Sequence, residues 1–360
     1  MAAPVLSTKH FKVSKLLGEQ IRFLSPGEMI PTVAELKEQY GASQATITQA
    51  LDRLRQQGLI EKPAGKKRLV VARIGARPDF RVTLIRPLWS SPDYDSITNH
   101  IYEMGLRENF GFGVHIYSSI NDLNLEHALQ NSDAGIVLGD LQMSADQVKA
   151  FNGSRKPIVF LRDRPAKVTR DSVWVDDMAV GRIGTQHLQK LGHSRILVML
   201  SEPPNPSSTA RMQGWKLALE KKNVTKFDHL IADCSVTPGK DALTGSYERF
   251  GAWLDSQNRN FTAVFCVAWT GALAVLRVFR ERGIRVPEDV SVITFASEQP
   301  LCDFTAPPLT TVEMDVERYT REAVRLVTKS LRDPDAAAKP ESLRLTPALV
   351  ERSSTAKARR

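Results

Sequence analysis

The sequence lacks most of the features that would assign a protein to a class at sight. It has only three cysteines, Cys234, Cys266 and Cys302. They are far apart, odd in number and without metal-ligand spacing. That excludes a disulfide framework and suggests reduced cytosolic thiols, two of them in cores. No apolar run approaches the roughly 20 residues a membrane-spanning helix needs. The opening MAAPVLSTKHFKVSK has no basic head followed by a long apolar stretch, so no secretory signal is expected. There is no GxxxxGK[ST] phosphate loop, since GKDALTG has the wrong spacing, and there is no HExxH or GxSxG. The seven histidines are scattered, and no internal repeat is visible. The expectation is therefore a cytoplasmic protein with no catalytic site, no metal and no cofactor.

The charge pattern is informative. The chain has 360 residues, 42% of them hydrophobic, enough for two or three domains with real cores. Its formal net charge is +9, yet residues 1–77 alone hold 13 Lys+Arg against 6 Asp+Glu. A basic end on a nearly neutral body suggests a polyanion-binding module joined to something else. Solvated surface charge is the bland alternative.

The basic end has a readable order. STKHFKVSKLLGEQIRFL places Phe11, Leu16, Leu17, Ile21 and Leu24 near helical spacing. SPGEMIP is a turn. Thr32 with Glu35 forms a capping box for a second helix, which Gly41 ends. Ser43 caps a third helix, whose apolar face is Ile47, Ala50, Leu51 and Leu54. Gly58 stops it, and LIEKPAGKKRLVVA reads as two short strands around a basic turn. Three helices followed by a β-ribbon make an α+β winged helix-turn-helix. The outward face of the third helix carries Ser43, Gln44, Ala45, Thr46, Thr48, Gln49 and Arg53. Short donors and acceptors near a helix N-terminus are what a major groove admits. Thr32, Lys62, Lys66, Lys67 and Arg68 are placed to hold phosphate or the minor groove.

LSPGEMIPTVAELKEQYGASQATITQALDRLRQQGLIEKPAGKKRLVV resembles the DNA-binding domain of the GntR family of bacterial transcription regulators over about 65 residues. The resemblance implies operator DNA as partner. Two departures stand out: Gln44 follows the capping Ser where the family usually has Arg, and Thr48 stands where it often has a basic residue. Operator sequences of relatives therefore do not carry over.

After the short basic linker ARIGARPDF, buried-type strands alternate with helices, from FRVTLIRP through KPIVFLRD, SRILVML, FTAVFCVA and DVSVITFA. Such a pattern gives parallel sheets with helices on both faces. The stretches VDDMAVGRIGTQHLQKLGHSRI, RMQGWKLAL, FTAVFCVAWTGALAVLRVFRERGIRVPEDVSVITFAS and PPLTTVEMD resemble the sensor domain of the LacI/GalR family. That resemblance implies an α/β periplasmic-binding-protein-like fold: two Rossmann-like subdomains, three crossovers and an effector in the cleft. A GntR-type reader on a LacI-type sensor is the arrangement of arabinose-type repressors. The expected layout is a DNA-binding domain at 1–73, a linker at 74–79 and a sensor at 80–355. Subdomain one is about 80–172 plus 316–345, subdomain two about 173–315 plus 346–355, and 356–360 a disordered tail.

Loops after the strands should line the cleft. They offer Trp89, Ser90 and Tyr94, then Asp140, Arg162 and Asp163. Strand-end aspartates could instead cap helices, and Trp89 could be core. Arg211 matches the family's ligand-contacting Arg, a planar fork for hydroxyl or carboxylate oxygens. Sugar-binding relatives often show Asn-Asp where this chain has Ala268-Trp269, and Gly-Phe-Asp where it has Thr294-Phe295-Ala296, followed by Ser297-Glu298. Two anchors for sugar hydroxyls are thus missing, and an unpaired buried hydroxyl costs roughly 1–3 kcal/mol. Trp269, Ser297 and Glu298 are the replacement candidates.

The expectation is a ligand-responsive repressor of a carbohydrate-related operon, on the bacterial nucleoid. It should act as a homodimer on a palindromic operator, because one recognition helix reads too few base pairs. The alternatives are a DNA binder or architectural protein whose cleft takes a non-sugar effector or nothing, and a solute-binding receptor.

Overall fold

A computed structural model describes residues 9–21, 24, 27–56, 58–63, 68–72, 78–88, 91–139, 143–162, 167–237, 240–256, 260–297, 300–333 and 339–359. The chain forms two compact units, Met1–Arg81 with Glu103–Gly111, and Val82–Tyr102 with Phe112–Arg360.

The first unit contains helices α1 (Lys9–Ile21), α2 (Val33–Tyr40) and α3 (Gln44–Gln56), then a two-stranded ribbon of β1 (Ile60–Glu61) and β2 (Val70–Val71). The ribbon is antiparallel, with Ile60 opposite Val71. Its core joins Val13, Leu17 and Ile21 of α1 to Leu36 of α2 and to Ile47, Ala50, Leu51 and Leu54 of α3. The buried stripe of α1 is thus an i, i+4, i+8 row, and Leu16, which periodicity placed inside, is half exposed. Phe11's side chain lies outside the described residues. The capping box closes as expected. Thr32 Oγ1 accepts from the Glu35 amide at 3.3 Å, and Glu35 Oε2 accepts from the Thr32 amide at 2.5 Å. Gly41 ends α2 at φ 54°, a left-handed turn that glycine tolerates.

The second unit has two lobes. The first lobe opens with β3 (Arg81–Pro87), α4 (Pro92–Glu108), β4 (Gly111–Tyr117), α5 (Leu125–Ala128), β5 (Ala134–Leu138), α6 (Ala145–Gly153), β6 (Ile158–Arg162) and β7 (Asp171–Val175). The second lobe holds α7 (Asp177–Lys190), β8 (Ile196–Leu200), α8 (Pro206–Glu220), β9 (Ile231–Asp233), α9 (Ala242–Ser256), β10 (Ala263–Cys266), α10 (Trp269–Glu281), β11 (Ser291–Ser297) and β12 (Thr310–Met314). The chain then returns to the first lobe for α11 (Val316–Arg332) and β13 (Ser342–Leu345), and ends in the second with β14 (Ala348–Val350). The sheet orders are β13-β7-β6-β5-β3-β4 and β14-β12-β11-β10-β8-β9. Three crossovers therefore link the lobes, as the fold class requires. β7 stays in the first sheet to Val175, so the first crossover falls at Asp176 rather than after residue 172. The linker expected at 74–79 lies mostly outside the described residues.

The tail corrects an expectation. Residues 353–359 do not run free: Ala356 N donates to Ser291 Oγ, Ala358 N donates to Leu191 O, and Arg359 meets Asp289 at 2.9 Å. Buried His193 anchors this segment, with Nε2 3.0 Å from the Ala356 carbonyl and Nδ1 2.9 Å from Thr262 Oγ1. A carbonyl only accepts, so Nε2 carries a proton. Burial pushes the pKa of both His193 and nearby His187 below the ordinary value, with Glu351 partly opposing this at His187. In acid the unfolded chain binds protons that the folded chain resists. The stability these rings contribute is complete above about pH 6.5 and is lost as pH falls through their lowered folded values. We expect the thermal midpoint to drop as pH falls below about 6.5, and His193→Gln to flatten that slope. A midpoint independent of pH in this window would remove the neutral-histidine clamp.

Candidate nucleic-acid interface and effector cleft

The third helix of the first unit separates its residues cleanly. Ile47, Ala50, Leu51 and Leu54 are buried, while Gln44, Ala45, Thr48 and Gln49 are exposed and form one stripe at i, i+1, i+4 and i+5. The Gln44, Thr48 and Gln49 side chains make no hydrogen bond among the described residues. Ser43 Oγ accepts from the Thr46 amide at 3.2 Å and meets Thr46 Oγ1 at 2.9 Å. Both hydroxyls therefore serve the cap first. Thr32 is likewise engaged, donating to Glu35 Oε2 at 2.8 Å. Those bonds from Thr32, with Arg68 adding to them, hold the Glu35 carboxyl below its usual range. Arg68 lies 3.5 Å from Glu35 in a pair exposed on both sides, which solvent and salt screen. Lys62 is exposed and Arg53 half-buried. Lys66 and Lys67 lie outside the described residues.

The cleft of the second unit is built around Arg211, which is 2% exposed on α8. Its Nε donates to Asp177 Oδ1 at 2.7 Å and its Nη1 to the Val267 carbonyl at 2.7 Å. Its guanidinium lies 3.7 Å from the centre of the Phe295 ring. Asp176 caps α7 through the Ala179 amide, which leaves its neighbour Asp177 to pair with Arg211. The cavity there is about 10 Å³, room for a single water. Arg162, Arg211 and Asp177 line it with Phe295, Met314 and Ile97. Arg162, at the end of β6, has φ 75°, a strained backbone for a residue with a Cβ. Its guanidinium faces the Tyr94 ring at 5.6 Å, and Arg86 faces the same ring at 5.7 Å.

One contact bridges the lobes. Asp93, at the start of α4, accepts from the Ser297 hydroxyl at the end of β11, and also from the Ser297 amide at 3.4 Å. Arg162 and Arg211 thus meet at one cavity, and Ser297 reaches the lobe opposite. Tyr94 is 5% exposed, a core ring between two arginines. Trp269 is half-buried at the start of α10 and does not line this cavity. Trp89, Ser90, Asp140, Asp163 and Glu298 lie outside the described residues. Sequence reading missed Asp93, Asp177 and Phe295. The doubled Asp176-Asp177 was the available signal for Asp177, since one carboxylate suffices as a cap. Among the described residues no cluster of His, Cys, Asp and Glu could hold a metal, and no helix is long and apolar enough to cross a membrane.

Comparison with known proteins agrees with both units. Residues 12–67 match the model of bacterial regulatory proteins of the gntR family, and residues 185–355 match the periplasmic binding protein-like domain. The chain is 26% identical over 345 residues to the HTH-type transcriptional regulator DegA of Bacillus subtilis, covering 91% of this chain and 98% of DegA. It is 27% identical to the HTH-type transcriptional regulator MalR of Streptomyces coelicolor, covering 92% and 98%. A 31% identical match to the transcriptional repressor PurR of Mannheimia succiniciproducens spans 59% of this chain and 61% of that protein. Among solved structures, a LacI family regulator from Enterococcus faecium superposes with TM-score 0.67 at 23% identity, covering 78% of this chain and all of that one. These relatives are transcription regulators. The chain joins a gntR-type helix-turn-helix module to a periplasmic-binding-protein-like sensor domain, and it is a DNA-binding transcription regulator.

Proposed function

We propose that this protein is an effector-responsive repressor that binds a palindromic operator as a homodimer. The observation that carries the reading is the division of α3, with Ile47, Ala50, Leu51 and Leu54 in the core and Gln44, Ala45, Thr48 and Gln49 outward. Gln44 and Gln49 read bases through amide forks, Thr48 and Ala45 meet base edges or a thymine methyl, and Ser43 and Thr46 set the helix end against phosphate. Lys62, Lys66, Lys67 and Arg68 of the ribbon hold the DNA backbone, and Arg53 and Thr32 flank the helix. The sensor supplies the dimer. Val114 and Ile116 are 45% and 53% exposed on β4, an edge strand, and Phe304 is 85% exposed on the second lobe. An open edge with apolar side chains suits a second copy of the chain. The effector is a small metabolite of carbohydrate type held between the lobes. It closes or opens the Asp93–Ser297 bridge and so changes the spacing of the two reading heads. The protein works on DNA in the cytoplasm.

The test is selection from a random DNA pool with the full-length protein near physiological salt, where non-specific binding is weak. The expected product is a palindrome whose half-sites lie a helical turn or more apart. Gln44→Ala should then relax preference at one position per half-site, by about 1–3 kcal/mol, with most non-specific affinity kept. A pool without a motif would turn the reading toward an architectural binder. An unchanged motif in the variant would mean that the helix docks in another register.

A further inference from the structure

The two lobes of the sensor meet at a seam that the protein's own side chains fill. Asp93 and Ile97 of α4 and Arg162 at the end of β6 form its first-lobe wall, and Arg211, Phe295 and Met314 form its second-lobe wall. Ile97, Arg211, Phe295 and Met314 are all buried. The space between the walls is about 10 Å³, so the lobes touch here almost without solvent. A polar contact crosses the seam. The Asp93 carboxylate accepts from the Ser297 hydroxyl, and from the Ser297 amide at 3.4 Å. Ser297 ends β11 and is fully buried, while Asp93 is 9% exposed. Water therefore competes weakly for these bonds, and a charged acceptor strengthens them.

The start of α4 shows that this carboxylate is committed to the opposite lobe. The first turn holds two acids, Asp93 and Asp95. Asp95 pairs with Arg86 of its own lobe at 2.9 Å and keeps 63% of its side-chain surface in solvent. Asp93, two residues earlier, reaches across to β11. The positive end of a helix favours either carboxylate, so the macrodipole does not explain why one of them is buried. The Ser297 donors do. Burying a carboxylate is costly unless it is hydrogen-bonded, and the seam offers Asp93 these donors only when the lobes are together. When the lobes part, Asp93 returns to water and Ser297 loses this acceptor. The contact exists in one arrangement of the lobes and not in the other, which is what a two-state element requires.

We propose that Asp93 is an internal latch, whose carboxylate sits between the lobes as a ligand's acceptor would and holds the sensor closed through Ser297. The inference deepens the reading of this cleft as the effector site and rests on it for one step only. An effector that enters between the lobes has to displace Asp93 from Ser297, so it acts by opening the sensor.

Spin-label distances between the lobes test the latch on the full-length protein with no ligand added. Lys149→Cys on α6 and Glu248→Cys on α9 put one label at an exposed position on each lobe, and the three native cysteines are buried. Labelled chains diluted into unlabelled protein report the distance within one chain. The parent should show a single population. Asp93→Ala and Ser297→Ala should each shift it by about 3 Å or more. Their combination should go no further than Asp93→Ala alone, because both remove the same contact. Asp95→Ala takes an equal charge from the same helical turn and should keep the parent distance. Circular dichroism identifies a variant that fails to fold, and Ser297→Ala, which leaves the start of α4 intact, then carries the test. A parent already at the shifted distance, unshifted distances in both latch variants, or a shift in Asp95→Ala as large as in Asp93→Ala would each overturn the proposal. So would a double variant that opens further than Asp93→Ala. Operator affinity on the same proteins keeps the two readings apart, with a change of about three-fold or more expected in the opened variants. Opened lobes with unchanged operator affinity remove the link from cleft to DNA and leave the latch. Lobes that stay closed remove the latch, whatever the operator shows.

Discussion

Arg211→Ala should cost the sensor about 3–5 kcal/mol of stability, because it removes one partner of a buried ion pair and leaves Asp177 charged and unpaired. Asp177 is 8% exposed and meets Arg211 Nε at 2.7 Å, so water cannot readily replace the guanidinium. The Val267 carbonyl would lose its donor, and the Phe295 ring a flat cation at 3.7 Å. Sequence comparison alone suggests a milder outcome, an intact fold with a lost ligand response. Packing decides against it, since Nε, Nη1 and one face of this guanidinium are already engaged by the protein. Arg211→Lys should recover only part of the loss, because an ammonium cannot fork between a carboxylate and a carbonyl while stacking on a ring. Removing both charges with Arg211→Met and Asp177→Leu should cost less than Arg211→Ala alone. Urea unfolding followed through the fluorescence of buried Trp215 would measure all three variants. A midpoint for Arg211→Ala equal to the parent's would show that this pair does not hold the lobe together.

How far the sequence could be read depended on the range of the interaction. The helix-turn-helix module is made of local rules. Thr32 and Glu35 are three residues apart, Gly41 ends a helix by its own φ, and the α3 stripe repeats every turn. All of that is visible in a short window. The error at Leu16 came from the same window. Periodicity gave two neighbouring stripes on α1, and only contact with α3 chose the one through Val13 and Leu17. The cleft is not local. Asp177 and Arg211 are 34 residues apart, and Asp93 and Ser297 are 204 apart, so their pairing is a product of the crossovers. Family likeness pointed to Arg211 but could not show that Phe295 would cover it. The tail misled for another reason. STAKARR has the composition of a disordered end, yet its order comes from backbone donors that find Ser291 and Leu191. Composition does not report on backbone bonds.

Gly214→Ala should destabilise the second lobe by about 3 kcal/mol or more, although alanine is intrinsically the better helix former by roughly 1 kcal/mol. Two helices cross here through their glycines. A Cβ on Gly214 of α8 would stand 2.0 Å from the Met178 carbonyl oxygen and 2.9 Å from the Arg182 amide of α7. The reciprocal Cβ on Gly181 would stand 1.9 Å from the Arg211 carbonyl. Those neighbours are backbone atoms of regular helices, so no rotamer change can relieve the clash. α7 and α8 would have to part by about 1 Å, and close-packed interiors resist such a shift. Parting them would also move Arg211 relative to Asp177, because one residue lies on each helix. The crossing glycines therefore set the geometry of the cleft as well as its stability. Gly153→Ala is the matched control. Gly153 is helical, at the end of α6, and has nothing within 4 Å of its added Cβ. There the same methyl should be neutral or stabilise by up to about 1 kcal/mol, through propensity and a less flexible unfolded chain. Thermal denaturation of both variants reads the contrast. A Gly214→Ala midpoint as high as that of Gly153→Ala would mean that the two helices do not approach this closely, and the close seating of Arg211 would fall with it.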